Sequence, residues 1–110
     1  MSYAIRLTPR FQKKLAIYAS LRRRVEKEVD RIIASPYEGT EELGRARRGL
    51  DLRGCRSAHV GRNFRIIFVI CEECRKEPDC IYCDCEGLPD ASVVFLTFGP
   101  HEKAYAMQWM

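Results

Sequence analysis

The sequence predicts an α+β fold in the order β-α-α-β-β-β: an N-terminal strand, a helical hairpin, then a curved antiparallel sheet with a zinc knuckle in its last hairpin. Three observations carry this. Apolar residues in the first third recur at helical spacing, whereas later apolar runs are short, β-branched and aromatic. Between the last two runs, Phe64–Ile70 and Val93–Phe98, stand five of the six cysteines. At 110 residues the chain reads as one domain, 1–110, with the cysteine-rich stretch 71–90 inserted in it.

Ser2 to Leu7 alternates weakly and reads as the first strand. Thr8-Pro9 opens a helix, because a hydroxyl caps the free amide groups and proline suits the first helical position. Phe11, Leu15 and Tyr18 then form an apolar stripe. A second helix follows Ser20. Leu21, Val25, Val29, Ile32 and Ile33 line one face, Arg22, Arg23, Arg24, Glu26, Lys27, Glu28 and Asp30 cover the rest, and Ser35-Pro36 ends it. The hairpin covers one face of a sheet.

Tyr37 to Gly49 is polar and reads as loop. Strands are predicted at about Leu52–Val60, Phe64–Ile70 and Val93–Phe98. Placing Ala58, Val60, Phe64, Ile66 and Phe68 on one face requires Val60 opposite Phe64 across the turn Gly61-Arg62-Asn63, with Asn63 available for a left-handed position. That register sets His59 opposite Arg65 on the other face.

The net charge of +4 is unevenly spread. From Arg45 to Arg65 seven arginines (Arg45, Arg47, Arg48, Arg53, Arg56, Arg62, Arg65) face one acid, Asp51. From Cys71 to Asp90 seven acids face Arg75 and Lys76. A polyanion such as RNA favours the first surface, and arginine grips phosphate in a fork. No basic n-region followed by an apolar stretch opens the sequence, and no run is long enough to span a membrane, so a cytoplasmic location is expected.

In such a compartment cysteine clusters favour metal over disulfides. Cys71-Glu72-Glu73-Cys74 and Cys80-Ile81-Tyr82-Cys83-Asp84-Cys85 supply paired thiolates, and a structural zinc takes four. Cys71 and Cys74 are one pair. Cys83 and Cys85 are the favoured second, with Cys80 as competitor. The metal would staple an acidic segment short of apolar residues. Disulfides are the rival reading. A catalytic zinc is not expected, since no histidine lies in the cluster. Cys55 reads as a small apolar filler.

After the last strand come Gly99, His101 and Tyr105. With this tail, the element order and the hairpin Arg56–Phe68, the chain resembles the RelE/ParE superfamily of type II toxins, more closely its RelE/YafQ branch. The resemblance implies a toxin held inactive by a cognate antitoxin, which cuts mRNA on the ribosome without metal or small-molecule cofactor. The ribose 2′-OH attacks the adjacent phosphorus, so a base, an acid and a cation for the phosphorane are needed.

The resemblance implies His59 and His101 as acid and base, Arg65 against the scissile phosphate, and Tyr105 at a catalytic aromatic position. Arg56 stands where RelE-type toxins put a lysine, and with Arg45, Arg47, Arg48, Arg53 and Arg62 it would bind RNA. Asn63 and Phe64 match an acidic and an aromatic residue of YafQ-type sites. Ala58 replaces a second lysine, so its role would pass to His59. Two other readings are a non-catalytic zinc-knuckle module that binds nucleic acid or protein, and a ParE-like gyrase-directed toxin.

Overall fold

A computed structural model describes residues 2–44 and 51–100. Strand β1 (Ala4–Leu7) leads to helix α1 (Pro9–Ile17), a 3-10 turn (Ala19–Leu21) and helix α2 (Arg22–Ala34). Then come β2 (Glu41–Glu42), β3 (Arg56–Val60), β4 (Phe64–Ile70), the single helical turn α3 (Cys71–Cys74) and β5 (Ser92–Pro100). The sheet order is β1-β5-β4-β3-β2, antiparallel except that β1 runs parallel to β5.

The expected helical cap is present. The Thr8 hydroxyl oxygen accepts from the amide of Phe11 at 3.1 Å and sits 2.8 Å from the carbonyl of Leu96, to which it donates. One side chain thus satisfies a free helix amide and ties α1 to β5. Phe11, Leu15, Val25, Val29 and Ile32 of the two helices bury themselves against Ala58, Val60, Ile66, Phe68, Ile70, Phe95 and Phe98. Phe11 lies 5.5 Å and 5.2 Å, ring centre to ring centre, from Phe95 and Phe98. Those two phenylalanines share a face although three residues apart. A register shift at Ile67/Phe68, where Ile67 pairs with Thr97 but Phe68 with Phe95, absorbs the extra residue.

The predicted register holds: Val60 pairs with Phe64 and His59 with Arg65. Gly61 takes a left-handed backbone, φ +64°. Two boundaries differ. The run Leu52–Val60 becomes strand only at Arg56, because Gly54 turns the chain at φ +86°. The supposed loop Tyr37–Gly49 contributes the short β2.

The larger correction concerns the second face of the sheet, the one that carries His59 and Arg65: beyond those two residues it is no bare basic surface for RNA. Ile67, Val69, Val94 and Leu96 point there and are fully buried under Leu52, Cys55, Cys71, Cys74, Tyr82 and Cys85. The cysteine-rich segment folds back over the sheet because those four aliphatic side chains need a cover. Among the described residues no helix is long and apolar enough to cross a membrane.

Candidate active site and cysteine cluster

His59 and Arg65 stand side by side near the turn end of the β3–β4 hairpin, beyond the reach of the cover. His59 is exposed and Arg65 half-buried. The Arg65 guanidinium folds back on the turn, donating to the carbonyls of Phe64 at 3.1 Å and Arg62 at 3.3 Å. Gly99 of β5 pairs with Arg65, so three strands meet here. Phe64 turns to the helical face, edge-on to Tyr18 at 5.1 Å, and packs as expected. His101 and Tyr105 lie outside the described residues, as do Arg45, Arg47 and Arg48.

His59 also stands at the rim of a shallow groove of about 480 Å³, whose other wall is α2 through Arg24, Lys27, Glu28 and Arg31. The sequence reading assigned Arg24 and Lys27 only to the solvated side of a helix. The signal that could have placed them is their spacing of three, which puts them on one helix face.

Two arginines expected at an RNA surface are otherwise engaged. Arg56 donates to both carboxylate oxygens of Glu73 and lies 4.9 Å from the Tyr37 ring centre. Arg53 pairs with Asp51 and, at 2.8 Å, with Asp79. Phosphate would have to displace these carboxylates, so both side chains act first as anchors for the cover. Arg62 is exposed in the turn. Other anchors are Arg6, which donates to the Asp84 carbonyl at 2.9 Å, and Arg75. Arg75 joins the two ends of the segment through Asp90 and the carbonyls of Cys85 (2.7 Å) and Leu88 (2.6 Å). Tyr3 donates to Glu72. That bond raises the Tyr3 hydroxyl above its ordinary value, and burial first, then Glu72, raises Tyr37 to about 12.

Beneath these anchors the sulfurs gather. Those of Cys74, Cys83 and Cys85 all lie within 4.8 Å of one another, with Cys74 3.0 Å from Cys83 and 3.4 Å from Cys85. Cys71 is joined to Cys85 as a disulfide, with Cα atoms 5.7 Å apart. All four expected ligands therefore belong to one sulfur cluster, and the pairing Cys71–Cys85 is an alternative use of two of them. Three closely spaced sulfurs suit a thiophilic ion, with Cys71 adjacent as the fourth.

Cys80 sits beside this group, hydrogen-bonded to the thiols of Cys55 and Cys74 and to the backbone of Tyr82. The Cys55 and Cys74 bonds pull Cys80 down to about 3, and the same shared hydrogen bonds, with burial, push Cys55 and Cys74 up. Cys55 is buried as expected, but it is also the one cysteine outside the segment that bonds to a thiol within it. A cysteine isolated in sequence gave no sign of this.

Residues 5–78 match the family model for the ParE toxin of type II toxin–antitoxin systems. The chain belongs to this family. It is a type II toxin of the RelE/ParE superfamily. The matched stretch takes in His59, Arg65, Cys71 and Cys74 and stops before Cys80. Among solved structures, the chain is similar in fold to the toxin–antitoxin complex RelBE2 from Mycobacterium tuberculosis. The TM-score is 0.65 at 18% identity, covering 92% of this chain and 93% of that one. No curated protein matches.

Proposed function

We propose that this toxin is an endoribonuclease that cuts mRNA on the ribosome by attack of a 2′-OH on the adjacent phosphorus. One observation supports it above the rest: an exposed histidine and a half-buried arginine are cross-strand partners at the end of the sheet that, among the described residues, the cysteine-rich cover does not reach. Histidine exchanges protons near neutral pH, and a guanidinium beside it stabilises charge on the phosphorane oxygens. His101 and Tyr105 are proposed as their partners on the sequence resemblance, with Arg62 and the arginines of residues 45–48 as RNA contacts. The similar structure is of a toxin–antitoxin complex, which supports a cognate antitoxin as the protein partner; the cytoplasm is the proposed compartment.

Residues 71–90 are proposed as an inserted cover that a structural zinc holds through Cys71, Cys74, Cys83 and Cys85 once all four are reduced. The ion supplies cross-linking, and the cut itself needs none.

The match to a ParE model favours a second reading, a gyrase-directed toxin. Purified toxin on programmed ribosomes decides between them. Cleavage should leave a 2′,3′-cyclic or 3′-phosphate and a 5′-hydroxyl. His59→Ala should slow it by roughly 10²–10⁴ and Arg65→Ala by about 10²–10³. Intact mRNA with loss of DNA supercoiling activity would establish the gyrase reading instead. Cleavage unchanged in the His59→Ala, Arg65→Ala double variant would exclude this site.

A further inference from the structure

We propose that the groove between α2 and the open edge of β3 is a phosphate track, in which Arg24 and Lys27 hold the RNA backbone beside the cut bond. The proposal rests on the ribonuclease reading and extends it to residues that the resemblance does not single out. Among the described residues β2 pairs with β3 only at Ser57 and Arg56 and nothing pairs with the edge from Ala58 to Val60, and there the groove forms.

The far wall is held in place. Val25 and Val29 are buried in the helical core, which prevents α2 from rolling and fixes the outward face that carries Arg24, Lys27 and Arg31. Glu28, the one acid in the wall among the described residues, is paired with Arg31, whose guanidinium also donates to the Glu38 carbonyl at 2.8 Å. Arg24 and Lys27 are both exposed and remain as the excess positive charge. A groove with two cations on one wall and a proton-transfer residue on its rim suits a backbone of phosphodiesters more than a folded partner. Sequence readout is not expected there, because phosphate contacts position a strand without specifying bases.

The test compares Arg24→Ala, Lys27→Ala with a control double variant, Lys13→Ala, Arg23→Ala, which loses equal charge outside the groove. The probe is a single-stranded RNA oligonucleotide with a 2′-deoxy position at the cut site, and the reaction is followed in parallel on programmed ribosomes. The groove variant should bind more weakly, with the slope of log affinity against log salt reduced by about 1–2. In turnover KM should rise while kcat holds. An effect in both arms assigns the track to the substrate strand, and one confined to ribosomes assigns it to ribosomal RNA phosphates. Equal losses in the control pair, or a variant that loses antitoxin binding alone, would overturn the track. Wild-type toxin that neither binds nor cuts RNA would defeat the parent reading instead.

Discussion

Arg56 and Glu73 meet in a two-pronged ion pair between strand β3 and the helical turn α3, Nε to Oε1 at 2.9 Å and Nη2 to Oε2 at 2.9 Å. Both side chains are largely withdrawn from water, 13% and 18% exposed. The pair fastens the cysteine cover to the sheet from which it springs.

Removing one partner should therefore be severe. Arg56→Ala or Glu73→Ala leaves an unanswered charge in a half-buried place, and we expect a loss of about 3–5 kcal/mol in urea unfolding. A Glu73→Gln variant keeps a hydrogen-bond acceptor and should lose less. Equal stability of all three with wild type would show that the cover is held elsewhere.

Tyr37 gives a pH prediction. Although the residue is 45% exposed, its hydroxyl is raised from 10.0 to about 12, by partial burial first and by Glu72 and Glu73 after it. Folding therefore favours the neutral phenol. That contribution is fully present below the unfolded value and is lost as pH rises through the folded one. Phenolate absorbance should show a late-titrating step, to which Tyr3 and Tyr82 also contribute because they too are raised, and Tyr37→Phe should shrink that step by one tyrosine and flatten the stability loss in the same alkaline window.

Gly54 should not tolerate a side chain. Its backbone is left-handed, and a Cβ there would stand 2.7 Å from the Cβ and sulfur of Cys80. Gly54→Ala should cost at least about 1–2 kcal/mol from backbone conformation alone, measured by thermal unfolding. Gly61→Ala, also left-handed but with open space around it, should lose only the backbone part.

Metal analysis of reduced protein should find about one zinc per chain, bound by four thiolates. Chelation should lower the unfolding temperature without touching the His59-dependent step. Cys83→Ser should do the same. Metal-free protein holding the Cys71–Cys85 disulfide under reducing conditions would remove zinc from the account.

Much of this architecture is legible in the residues because local rules agree with the fold. Thr8-Pro9, the stripe of α2 and the alternation around Gly61 each have one good solution, and the last fixes His59 against Arg65. The cover over the second face was missed, although the clue was present. Ile66 to Ile70 and Val93 to Leu96 are apolar without a break, which is how strands read when both faces are buried. Strict alternation holds only near the turn of the hairpin and gives way to unbroken apolar sequence at its far end. Arg53 and Arg56 look free in the sequence because their carboxylate partners, Asp51 apart, lie 17 or more residues away. Cys55 was passed over for the same reason: its sulfur neighbour comes from another part of the chain.

The parallel pairing of Ala4–Leu7 with Ser92–Phe95 governs how the molecule is made. An antiparallel hairpin such as β3–β4 closes within a few residues, but β1 has nothing to pair with until β5 has been synthesised and laid against β4. Such distant pairing slows folding, because loop-closure entropy is lost before the contacts reward it. The cap of α1 is local and forms early, but its tether to the sheet waits as well, since Thr8 donates to Leu96 of the same strand. During translation the helices and the central hairpin exist first as an unfinished sheet. The last of the described strands to emerge joins its two parts.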